Sequence, residues 1–176
     1  MAHPAPGASE DDVAGPFGPE VDRALDVLAS GGTLEGDQLD GLDAFITDRF
    51  GTGLIGLRWD RISHARGEAH FEATEALHQP SGIVHGGVWC AVIESMASVC
   101  AAMAVLPKGM VCVGAHNATD FLRPHRLGRI DGVATPVHVG RTQQLWQVEL
   151  MRADDGKTVA RGQVRLANID PAQLGG

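Results

Sequence analysis

One carboxylate, two glycines and one hydroxyl in this 176-residue chain are spaced for work on a carbonyl group. Glu94 is the only charge in the apolar run Val88–Leu106, which reads as a buried helix because it is apolar on nearly every side. At about 100° per residue, Gly87, Glu94 and Ser98 fall within roughly 40° of one line along that helix. Ala97 and Ala101 are expected to share the face and leave room for a substrate beside the acid. Gly86 and Gly87 stand where the helix begins, so backbone N–H groups without intrahelical partners could approach a ligand with no Cβ in the way. The Gly86 N–H and the positive helix end suit an oxygen that becomes negative in a transition state. The carboxylate could attack the same carbonyl to form an anhydride, or deprotonate a water that attacks it. These are the parts that thioester hydrolysis needs, and they leave nucleophile and base equally open.

The neighbouring residues read more plainly. His85 caps the helix or orients the loop, since no carboxylate partner is evident for it. His78, His116 and His138 read as surface or packing residues, and no histidine spacing suggests a metal site. Cys90, Cys100 and Cys112 lie in apolar runs without C-x-x-C spacing and are expected to be reduced thiols. Neither metal nor cofactor is called for.

Other elements must position these residues. Residues 1–19 are rich in Pro, Gly, Ala and acids and read as a disordered acidic tail. Residues 20–30 and 37–49 repeat apolar residues at helical spacing, giving a helical extension over 20–50. From Leu54 the period becomes two: strands are expected on either side of a turn near His64–Gly67, followed by a loop and the long helix. Four strand-like runs follow, 110–122, 129–139, 143–153 and 157–168. The order β-β-α-β-β-β-β describes an α+β domain over 51–170, an antiparallel sheet wrapped around one long central helix.

Composition excludes several classes of function. Residues 1–50 hold eleven Asp/Glu against two Lys/Arg, whereas residues 51–176 hold eleven against twelve, so the net charge of −8 belongs to the leader. An acidic leader and a near-neutral domain do not suit nucleic acid, although they permit a small polyanion. The apolar run is 19 residues long, but Glu94 near its middle and the lack of basic flanks favour a soluble core helix over a membrane span. The N-terminus shows no secretory signal, so a cytoplasmic protein is expected.

The segment G-I-V-H-G-G-V, with an acid nine residues after the His, resembles the hotdog-fold thioesterases of the phenylacetic acid degradation family. With Gln79 six residues before His85 and Ser98 four after Glu94, it is similar to the Arthrobacter-type 4-hydroxybenzoyl-CoA thioesterases, which have Thr where this chain has Ser98. The resemblance implies hydrolysis of acyl-CoA, with Glu94 as catalytic carboxylate, Gly86 as oxyanion donor, Gln79 orienting carboxylate or water and Ser98 beside the attacking group. His85 would support the loop, with Gly87 next to the substrate. Asn117 and Arg123 match the family's N-x-x-x-F-x-R-P strand, and Gly140-Arg141-Thr142 resembles its G-R turn; these would contact CoA from a neighbouring subunit. A homodimer, or a tetramer of two dimers, follows from the same resemblance. Two rivals are a hotdog enoyl-thioester hydratase or dehydratase, whose H-F-P-G loop is absent, and a non-catalytic acyl-CoA sensor, for which Glu94 would be superfluous.

Overall fold

A computed structural model describes residues 18–47 and 52–174. The tail expected over residues 1–19 therefore lies, apart from its last two residues, outside the described residues. The chain enters helix α1 (Pro19–Ala29) through a proline whose fixed φ suits a first helical turn. Val21, Ala24 and Leu28 are its buried stripe. The short strand β1 (Leu34–Glu35) and helix α2 (Asp37–Thr47) follow, burying Leu34, Leu39 and Leu42.

The main unit comprises β2 (Arg58–Ser63), β3 (Arg66–Ala73), helix α4 (Gly86–Val105), β4 (Val111–Phe121), β5 (Gly128–Val139), β6 (Gln143–Arg152) and β7 (Thr158–Ile169). These strands and β1 form one antiparallel sheet in the order β1-β2-β3-β5-β6-β7-β4. On β6, Gln144, Trp146, Val148 and Leu150 are buried while alternate residues are half-covered, the period-two signature of a sheet with one face on a core. That core is α4. Its Ile93, Met96, Ala97 and Ala101 are fully buried, which is why the helix is apolar nearly all round. Close approach is possible where the sheet lacks side chains: a Cβ on Gly132 would stand 2.5 Å from Met96 Sδ, and one on Gly67 would collide with Cys100 Sγ. The arrangement is the hotdog fold, and a helix long and apolar enough for a membrane is here wrapped by a sheet.

Two local expectations change. The strand expected from Leu54 begins at Arg58; residues Thr52–Ile55 instead form a helical turn, α3, ended by Gly56 at φ +76°. Leu54 is 81% exposed, so its place in the apparent alternation was not a core position. The two-residue β1, too short to show any periodicity, pairs with β2 through Leu34 and Ile62, both buried.

At the far edge β4 pairs with β7 alone among the described residues, and none of its residues is buried. A strand of eleven residues with one open edge is unusual for a protein that stands alone.

Candidate active site

The loop before α4 is fastened from outside. Val84 N–H donates to the His125 carbonyl, Arg126 Nη1 donates to the Gly82 carbonyl at 2.9 Å, and His78 Nε2 lies 2.6 Å from the Arg126 carbonyl. His85 is the N-cap: its Nδ1 accepts from Gly87 N–H at 2.8 Å, and its carbonyl accepts from Val88 N–H at 2.9 Å. The Gly86 N–H, by contrast, meets no acceptor among the described residues. It stands at the positive end of a 20-residue helix, as an oxyanion donor should.

Beside Gly86 a cleft of about 300 Å³ is lined by Gln79, Ile83, Trp89, Phe121 and Arg123, among others. Gln79 donates to Ser81 Oγ at 2.7 Å, so within one chain it is held at the cleft and is not bonded to Glu94. Arg123 spends Nη1 on the Thr158 carbonyl at 2.6 Å.

Glu94 lies further along α4, half-buried, in contact with β4. Asn117 Nδ2 donates to Glu94 Oε2 at 2.8 Å and to the Cys90 carbonyl at 3.3 Å, while Thr119 Oγ1 donates to Asn117 Oδ1 at 2.7 Å. Ser98 Oγ reaches Glu94 Oε1 only at 3.5 Å. On that side a Cβ at Gly114 would stand 2.5 Å from Oε1, so the strand backbone closes against the carboxylate. Gly114 and Asn117 are an odd number of residues apart and would face opposite ways in a regular strand. A bulge between Gly114 and His116 adds one residue and turns both towards Glu94. The Cys112 thiol, 3.6 Å from the Ser98 carbonyl, is pushed up to about 11 by burial and then by the Glu94 charge.

The structure thus brings Glu94, Ser98 and Asn117 together, with Gly86 at the start of the same helix. Asn117, expected at the CoA of a neighbouring subunit, is spent on Glu94 of its own chain. Ala97 and Ala101 are fully buried, so the small residues on the uncovered side of α4 are Ala91, Ser95 and Ala102 instead. Arg141 and Thr142 are exposed on a turn joined to the opposite end of α4. Sequence reasoning missed Thr119 and Gly114. Thr119 could have been found from the period-two relation to Asn117, but the bulge that recruits Gly114 has no sequence signal. Among the described residues no cluster of His, Cys, Asp and Glu could hold a metal ion.

Residues 81–159, which span the end of the loop, α4, the strands β4, β5 and β6 and the first two residues of β7, match the family model described as the thioesterase superfamily. A Mycobacterium tuberculosis protein provisionally named an esterase is 44% identical over 119 residues, covering 66% of this chain and 84% of that one. The Arabidopsis thaliana 1,4-dihydroxy-2-naphthoyl-CoA thioesterase 2 is 35% identical over 106 residues, 60% of this chain and 66% of that one. Among solved structures, AziG of S. sahachiroi superposes with a TM-score of 0.63 at 46% identity, covering 65% of this chain and 92% of that one.

Proposed function

Since this chain belongs to the thioesterase superfamily and is a thioester hydrolase, we propose that it cleaves acyl-CoA, with Glu94 as the catalytic carboxylate and Gly86 N–H as the oxyanion donor. The observation that carries this reading is the fixed Glu94 carboxylate on the helix whose first N–H is uncommitted. The Arabidopsis relative named for naphthoyl-CoA supports a CoA thioester carrying an aromatic acyl group, and the resemblance to 4-hydroxybenzoyl-CoA thioesterases points the same way.

The thioester carbonyl sits between two copies of the chain, its oxygen at Gly86 N–H of one and its carbon beside Glu94 of the other, because the eight residues between them separate the two groups by about 12 Å along one helix. In one route Glu94 takes a proton from water as the water oxygen bonds to the acyl carbon; the C–S bond then breaks and the CoA sulfur takes the proton back. In the other, Glu94 bonds to the acyl carbon, thiolate leaves, and water cleaves the resulting anhydride. Both routes place negative charge on the oxygen beside Gly86. Gln79, at the edge of the cleft, orients the carboxylate or the attacking water, and Ser98 supplies a hydroxyl to Glu94 Oε1; His85 holds the loop, and Gly87 lies beside the acyl group.

The open β4 edge and the uncovered side of α4 support a homodimer in which β4 strands of two copies meet and each covers the other's helix strip, with pairing of dimers to a tetramer. Arg123, Arg141 and Thr142 then face the CoA of the neighbouring site. The domain spans 51–170, with the described part of the 20–50 extension packed on it, and the protein works in the cytoplasm.

The test follows free CoA with a thiol reagent over a panel of aryl- and aliphatic-acyl-CoAs. Wild type should turn over at least one, and Glu94→Ala should lose roughly a hundredfold or more in kcat. Binding without turnover would transfer the chain to the sensor reading, and an unimpaired Glu94→Ala would remove Glu94 from the mechanism. A single turnover in H2-18O that leaves label in the Glu94 carboxylate establishes the anhydride route with water attacking the Glu94 carbon, whereas label in the product acid alone is common to base catalysis and to cleavage at the acyl carbon.

A further inference from the structure

Gln144 is fully buried on the apolar face of β6, yet each of its polar atoms is engaged. Nε2 donates to the Ala101 carbonyl of α4 at 3.0 Å and to Asn168 Oδ1 at 2.8 Å, while Oε1 accepts from Trp146 Nε1 at 2.9 Å. Asn168, 7% exposed, carries the chain of bonds outward. Its Nδ2 donates to the Gly140 carbonyl at 2.9 Å and the Arg141 carbonyl at 3.3 Å, and its backbone N–H to the Thr142 carbonyl at 2.9 Å. One residue thus grips three successive carbonyls of the turn between β5 and β6 from inside, while the side chains of Arg141 and Thr142 stay exposed.

Packing alone does not call for this. Apolar side chains at positions 144 and 168 would fill the space without burying amides, whose desolvation must be repaid by every one of these bonds. What the amides add is a fixed geometry. The relay ends on the Ala101 carbonyl, seven residues beyond Glu94 on the same helix, so the turn is registered against the element that carries the carboxylate. A guanidinium on such a turn grips phosphate with less freedom to lose than one on a mobile loop.

We propose that Asn168 and Gln144 are positioning residues for the phosphates of the CoA moiety, acting through Arg141 on the turn they hold. The inference rests on the acyl-CoA reading above. The decisive comparison is between an acyl-CoA and the pantetheine thioester of the same acid, which lacks the nucleotide phosphates. Asn168→Ala should raise KM for the acyl-CoA about tenfold with kcat little changed, and leave both constants for the pantetheine thioester where they were. Arg141→Ala should raise KM for the acyl-CoA on its own, and adding Asn168→Ala to it should raise it little further, since both remove one grip. If Asn168→Ala does not accumulate as folded protein, Asn168→Ser, which keeps one hydroxyl donor, is measured in its place. Equal damage to both thioesters would reduce the network to a structural role and overturn the proposal, as would an unchanged KM for acyl-CoA. A wild type that hydrolyses pantetheine thioesters but gains nothing from CoA would overturn it while sparing the thioesterase; a wild type inert on both would overturn the enzymatic reading itself.

Discussion

Asn117 Nδ2 lies 2.8 Å from Glu94 Oε2, and Thr119 Oγ1 donates to the other end of the same amide at 2.7 Å. The Thr119 bond orients the amide so that its NH2 group faces the carboxylate. A hydrogen bond to a charged group contributes about 1.5–3 kcal/mol, and here it holds one oxygen while the other faces Ser98. Asn117→Ala should lower kcat by roughly 10- to 100-fold, and Thr119→Val by a few-fold, since it only frees the amide to turn. Steady-state kinetics on the preferred acyl-CoA measures both. A fall confined to KM would instead make Asn117 a substrate contact.

The opposite face of the carboxylate gives a second prediction. Alanine at Gly114 would put a methyl 2.5 Å from Glu94 Oε1, inside van der Waals contact, with strand backbone unable to yield as easily as the carboxylate. Gly114 is exposed on the edge strand and its backbone is not in the left-handed region, so Gly114→Ala should change stability by less than about 0.5 kcal/mol. Displacing a reacting group by about an ångström costs on the order of a hundredfold, so kcat should fall by roughly 10- to 100-fold while urea-unfolding midpoints hold. Loss of folding together with activity would show that Gly114 serves the strand and not the site.

The long helix and the six long strands were legible because each repeats one period over many residues: β6 alternates cleanly from Gln144 to Leu150, and α4 is apolar throughout. Glu94 stood out for the same reason, as the single charge in that run. What could not be read depends on register and on contacts distant in sequence. The bulge at Gly114–His116 decides that Gly114 and Asn117 face the same carboxylate, and no residue type announces it. The Gln144–Asn168 pair joins residues 24 apart on neighbouring strands, and in sequence Gln144 is the second of two glutamines while Asn168 is one polar residue between Ala167 and Ile169. At Leu54 the sequence misled, because a helical turn ended by a glycine imitates the first residues of a strand.

Gly86 yields a third prediction. A methyl there would stand 2.9 Å from Phe121 Cε2 and 3.0 Å from Cζ, at the far end of a ring that is 57% exposed and free to swing. Gly86→Ala should therefore fold, but the displaced ring and the added methyl crowd the place where the thioester oxygen meets the N–H. Activity should fall about tenfold or more, short of the roughly hundred- to thousandfold loss that follows removal of an oxyanion donor, since the N–H itself stays in place. Because the ring is the obstacle it meets, the double variant Gly86→Ala/Phe121→Ala should recover part of that loss relative to Phe121→Ala alone. If the two losses simply add, the methyl acts on the substrate directly and Phe121 has no share in it.

Cys100 supplies a prediction about pH. Its thiol is sealed between α4 and Gly67 of β3, and burial pushes it up to about 12 from an ordinary 9.0. Below about pH 9 both folded and unfolded chains keep the proton, and the stabilisation is fully present. Between about 9 and 12 the unfolded chain gives the proton up while the folded one retains it, so the unfolded state binds fewer protons and stability falls as pH rises, by up to about 1.4 kcal/mol per pH unit. Cys100→Ala removes that contribution and loses some packing at every pH. From pH 8 to pH 10, at fixed protein concentration, urea unfolding of wild type should lose about 1.3 kcal/mol more than the variant does. Cys112, raised to about 11 by burial first and the Glu94 charge second, is common to both proteins and drops out of the comparison. Parallel pH curves for the two would mean that the Cys100 thiol ionises as readily in the folded protein as in the unfolded chain, and that the contact between α4 and β3 opens to water.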